Sequence, residues 1–103
     1  MLFLTLLALE TSSVSPRGQT ELQARIEHAP REVAKFVERR AACNHWDGEV
    51  GSGYLDREKQ IQTERAKLRC NAIDADVTTL RKKYRKDSAV LKLLDDTQDL
   101  QPW

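Results

Sequence analysis

The sequence predicts an all-α fold, a disulfide-linked antiparallel helical hairpin with short flanking helices, and three observations predict it. Apolar residues recur at alternating steps of three and four along most of the chain, and no stretch shows the strict alternation of a strand. Glycine and proline, four and three in number, stand between those periodic stretches. The two cysteines, Cys43 and Cys70, lie on the apolar seams of successive expected helices, with a glycine-rich turn between them.

At 103 residues the chain has room for one small domain. The 17 basic and 16 acidic residues leave a net charge of +1, so charge balance points to neither nucleic acid nor a membrane surface as partner. An apolar content of 40% argues against full disorder. The longest uncharged apolar run is too short for a stable membrane span.

The order of elements follows from local signals. Met1–Leu9, MLFLTLLAL, is an apolar block followed by small and polar residues, the pattern of a secretory signal peptide. No Lys or Arg precedes Leu2, which fits a start codon set a few positions late. The alternative is a short helix lying on the domain. Residues 1–18 are expected to be this signal-like segment and a linker through Pro16 and Gly18, and a mature chain should begin between Val14 and Gln19. Residues 19–98 form the expected single helical domain, and 99–103 a tail.

Thr20 with Gln23 fits a capping box, so a short helix is expected over 21–27, burying Leu22 and Ile26. Pro30 suits a first helical position, and Glu32 complements the helix dipole. The next helix should run to about Asn44 on a stripe of Val33, Phe36, Val37, the Arg40 stem and Cys43. Gly48, Gly51 and Gly53 then make a turn, with Tyr54 and Leu55 stapling the following helix and Asp56 capping it. From Asp56 to about Lys86 there is no glycine or proline. Ala66, Cys70, Ile73, Val77, Leu80 and Tyr84 form a helical seam, widened by Ile61 and Leu68. Such a helix would be about 45 Å long, so a bend or break near Cys70–Asn71 is expected. Asp87 or Ser88 should cap a last helix carrying Val90, Leu91, Leu93 and Leu94.

A Cys43–Cys70 bridge suits a small exported chain, and closing its loop should contribute about 3.5 kcal/mol. Zinc is the competing reading, but only His28 and His45 are available as further nitrogen ligands, neither at finger spacing. One difficulty stands: Cys43 is close to the turn while Cys70 lies about four turns into a helix beginning at Asp56, so either residues 47–60 fold back as a long loop or that helix starts nearer Ile61.

His45, Trp46, Asp47 and Glu49 are the densest group of functional side-chain types. They suggest an interaction surface, or a helix end where Trp46 covers the crosslink; His45 with Asp47 could otherwise form an acid–base or metal pair. The basic run Arg81–Lys86 is flanked by Asp74, Asp76 and Asp87 and reads as a solvated face that favours the helix C-terminus. No nucleophile–base arrangement or phosphate-cradling loop is present, so no enzyme, cofactor or metal site is expected.

The segment from Phe36 to Glu49, with Cys43-Asn44-His45-Trp46-Asp47-Gly48-Glu49 at its centre and Leu68-Arg69-Cys70 beyond, resembles a group of short exported proteobacterial proteins. That resemblance implies an envelope location and brings no activity. Cys70 to Tyr84, with Asp76, Leu80 and Tyr84, is similar to the core of the LprI-type lysozyme-inhibitor family. Arg81 stands where that motif has Asn, and one extra residue separates Asp76 from Leu80. This resemblance implies a small, helical, disulfide-bonded exported protein. The expectation is a periplasmic or secreted protein that binds an envelope protein, an inhibitor of a lysozyme-like hydrolase being one form of it. The alternative is a structural or stress-related envelope protein with no enzyme target.

Overall fold

The computed structural model describes residues 14–103, with side chains described from Thr20 onward. The apolar block Met1–Leu9, and with it the export expectation, lies outside the described residues. The described chain is helical throughout its ordered elements: α1 (Val14–His28), α2 (Arg31–Glu49), α3 (Leu55–Lys67), a single 3-10 turn (Cys70–Ala72), α4 (Ile73–Lys83) and α5 (Ser88–Asp96).

α1 is longer than the sequence suggests. Residues 16–20, read as a linker, are its opening turns. Proline is tolerated there because the first turn has no intrahelical use for its missing N–H. Pro30 occupies the N-cap position of α2, and its carbonyl accepts from Val33 and Ala34 at 2.9 and 3.0 Å.

α2 is the strut on which everything else is hung. Val33, Phe36, Val37, Arg40 and Cys43 are all buried, as the stripe predicts, and Ala41 joins them. Val33, Phe36 and Val37 share a core with Ile26 of α1, Leu80 of α4 and Val90, Leu93 and Leu94 of α5. Asp87 caps α5 by accepting from the Val90 N–H at 3.1 Å. The tail is drawn into this core: Leu100 packs against it, and the Asn44 side chain donates to the Gln98 and Leu100 carbonyls, both at 2.9 Å.

Polar pairs along α2 give the direction of its neighbours. Glu32 meets Lys83 and Tyr84, and Arg39 meets Asp76; Asp47 meets Arg65, and Glu49 meets Arg57. As α2 is followed forward, its partners run backward, so α4 and α3 lie end to end and antiparallel to it.

The expected long helix is broken between them. Arg69 has φ 53° and ψ 48°, the left-handed region, and is the non-glycine residue of positive φ among those described. That conformation costs an L-residue about 1–2 kcal/mol, and tertiary contacts hold it. Arg39 Nε donates to the Leu68 carbonyl at 2.7 Å, its Nη2 donates to the Arg69 carbonyl at 3.3 Å and to Asp76 at 2.6 Å. Cys70, the next residue, is tied to Cys43 with Cα atoms 5.6 Å apart and sulfurs at 2.14 Å. The break, and neither a long loop over 47–60 nor a helix start near Ile61, resolves the mismatch in register: α2 runs to Glu49 and α3 starts at Leu55, and the kink turns Cys70 toward α2 instead of letting α3 carry the seam onward.

α3 consequently stands apart from the shared core. Ile61 is its one buried residue, fully enclosed against solvent, whereas Ala66, expected on the seam, is exposed. α3 is an arm, fastened to the C-terminal third of α2.

Candidate functional site

α2 continues through His45, Trp46, Asp47 and Gly48 to Glu49, five residues beyond Asn44. The cluster singled out in the sequence is therefore helical, and its side chains fan around one end of α2. Trp46 is half-buried, with the Arg57 guanidinium 5.4 Å from its ring centre and the His45 ring edge-on at 5.1 Å. Asp47 accepts from Arg65 Nε at 2.7 Å, and Glu49 pairs with the same Arg57. Trp46, Asp47 and Glu49 thus all fasten α3 to α2. His45 is exposed, with its ring against Trp46. Cys43 is buried and Cys70 half-buried at the other end of the same junction. Among the described residues no three His, Cys, Asp or Glu side chains gather as a metal site.

The loop that joins α2 to α3 carries what sequence reasoning missed. Val50, Tyr54 and Leu55 are 52, 75 and 70% exposed. Tyr54 and Leu55 do not staple α3; Tyr54 occupies its N-cap position with no side-chain cap bond, and Asp56 lies inside the first turn. Left in water, these side chains contribute no burial to folding, and three of them on one short loop make a candidate interaction surface.

The tip is also fixed in shape. Gly51 and Gly53 adopt φ of 92° and 85°, so the reversal is made where a side chain would be strained. Glu58, on the first turn of α3, reaches back into the loop. Its carboxylate accepts from the Gly51 and Ser52 N–H groups at 3.3 and 2.7 Å and from the Ser52 hydroxyl at 2.6 Å. The Ser52 oxygen in turn accepts from the Tyr54 N–H at 3.2 Å. The Ser52 hydroxyl, and then the Ser52 and Gly51 N–H groups, hold the Glu58 carboxyl below its ordinary value. A signal for this was present in the sequence: three apolar residues flanking Gly-Ser-Gly, with a carboxylate four residues beyond Tyr54.

A second feature is carried by α2 itself. Arg40 is 5% exposed, and among the described residues no carboxylate pairs with it. Its Nη2 donates at 2.7 Å to the Leu94 carbonyl and at 2.7 Å to Thr97 Oγ1, at the C-terminal end of α5, where a positive charge suits the helix dipole. Its Nε is buried with no hydrogen-bond partner. Burial, followed by the nearby Arg81, pulls its ionisation below the ordinary arginine value, against the opposing pull of Asp95 and Asp99.

Compared with family models, curated proteins and solved structures, the chain matches none. No helix among the described residues is long and apolar enough to cross a membrane.

Proposed function

We propose that this chain is a small exported binding protein, and that it works by presenting the α2–α3 tip to a concave, apolar site on an envelope protein. The observation that carries the reading is the coincidence of exposure and rigidity. Val50, Tyr54 and Leu55 stand in solvent while Glu58 holds the loop that carries them. A contact surface already held in its bound shape loses little entropy on docking, and tyrosine supplies large area with few rotors. The crosslink and the Arg57 and Arg65 pairs serve the same end, because they stop the arm from swinging about its base.

The resemblance of the Cys70–Tyr84 segment to lysozyme inhibitors supports a lysozyme-like hydrolase as the target. Blocking such an enzyme requires only tight binding at its cleft. The test is a hydrolysis assay on peptidoglycan with a purified lysozyme-type enzyme, together with calorimetric titration. Micromolar or tighter inhibition is expected, weakened at least tenfold by Tyr54→Ala or Leu55→Ala, with melting temperature unchanged because neither side chain is packed. A wild-type protein that leaves the hydrolase untouched would overturn the choice of target. Inhibition insensitive to both variants would overturn the choice of surface.

A further inference from the structure

The cleft that Arg40 borders, between α2, α4 and the segment after α5, has a volume of about 530 Å³. Its walls include Arg40, Asn44, Asp74, Arg81 and Asp99, with the Cys43–Cys70 bridge at one side. The charges in it are unevenly satisfied. Arg81 is paired with Asp95 at 2.8 Å, and Asp47, also on the wall, with Arg65. Arg40 has no carboxylate partner and an orphaned Nε, although it is more than nine-tenths buried. The carboxylates of Asp74 and Asp99 have no ion-pair or hydrogen-bond partner among the described residues, yet they line the same cavity.

Arg40 keeps its bonds to Leu94 and Thr97, but a buried guanidinium with one unbonded N–H and no carboxylate in contact is costly, and proteins normally close such a gap with a side chain, an ordered water or a ligand. Asp99 acts on Arg40 by charge alone, and neither it nor Asp74 is in salt-bridge contact with it. A simple anion fits poorly, since it would be drawn to Arg40 and Arg81 but repelled by Asp74, Asp99 and Asp47. A simple cation meets the reverse difficulty. A molecule carrying both charges satisfies both sets.

We propose that this cleft binds a small zwitterion, an α-amino acid or short peptide, with its carboxylate on Arg40 and Arg81 and its ammonium group toward Asp74 and Asp99. The cavity is larger than glycine needs, so a side chain or a second residue has room. The inference does not rest on the role given to the hairpin tip, since Val50, Tyr54 and Leu55 are not among the residues that line the cleft.

The test is amide chemical-shift titration of the isotopically labelled full chain with four probes: L-alanine, alanyl-alanine, acetate and methylammonium. Saturable shifts are expected around residues 40, 44, 74, 81 and 99 with alanine or alanyl-alanine at millimolar concentrations, and at least tenfold weaker response to acetate and to methylammonium. Whichever zwitterion binds more tightly tells a free amino acid from a peptide. Asp74→Asn, at an exposed carboxylate with no ion-pair or hydrogen-bond partner among the described residues, should weaken binding at least tenfold at nearly unchanged melting temperature; Arg81→Gln should weaken it as much, with a lower melting temperature because its pair with Asp95 is lost. Acetate binding as tightly as either zwitterion would reduce the cleft to an anion site and overturn the proposal. So would equal binding of methylammonium, no saturable shift with any probe, or binding indifferent to Asp74→Asn.

Discussion

Reducing the Cys43–Cys70 bridge is the perturbation whose size follows most directly from this structure. The bridge closes a loop of sequence separation 27, and the chain-entropy relation assigns that closure about 3.5 kcal/mol. The bond lies at the junction where α3 leaves the shared core, beside Arg69 in its left-handed conformation. Relaxation of Arg69 in the reduced chain offsets up to about 2 kcal/mol. For 103 residues the unfolding entropy is about 0.2 kcal/mol/K, so the melting temperature should fall by about 7–16 °C. The assay is far-ultraviolet circular dichroism against temperature, with and without a phosphine reductant, repeated on the Cys43→Ser/Cys70→Ser double variant. Amide exchange should accelerate first over residues 68–72 and along α3, since Ile61 alone anchors that arm by burial. A shift below about 4 °C in both experiments, or exchange that accelerates uniformly, would refute the reasoning that the bridge fastens the arm.

Other outcomes follow from single groups. Ile61→Ala empties the one buried site of α3 and should cost about 3 kcal/mol, read by urea denaturation, with exchange rising in α3 before the core. Asp87→Ala removes the cap of α5 and should cost about 1 kcal/mol, checked the same way. The Glu58 carboxyl is held below its ordinary value, so its contribution to loop order is complete above the unfolded value of about 4.5 and is lost as pH falls through the lower folded value. Amide exchange at Gly51 and Ser52, corrected for intrinsic rates, should therefore show protection that fades on acidification below pH 4.5, and Glu58→Gln should show the loosened state at neutral pH.

The helical class, the cysteine pair that becomes the bridge and the buried stripe of α2 were legible in the residues alone, and the cap of α5 was narrowed to Asp87 or Ser88. Each of these depends on local periodicity or on chemistry at fixed short spacing. Val33, Phe36, Val37, Arg40 and Cys43 share one face because a 3.6-residue turn puts them there, whatever the rest of the chain does, and that face is the buried one. The tertiary structure decided what lies on the other end of those contacts. Nothing local marks Arg69 as left-handed, because arginine has no preference for that region; Arg39, from about thirty positions away, stabilises it by binding the carbonyls on either side of the turn. The fate of the His45–Glu49 cluster was equally hidden. Trp46, Asp47 and Glu49 fasten the arm because Arg57 and Arg65 arrive on α3 at matching height, and Tyr54 and Leu55 are left in solvent because the arm ends before it can cover them. Periodicity tells which side of a helix is apolar. Only the meeting of two helices tells which apolar residues find a partner and which polar ones, such as Arg40, are enclosed without one.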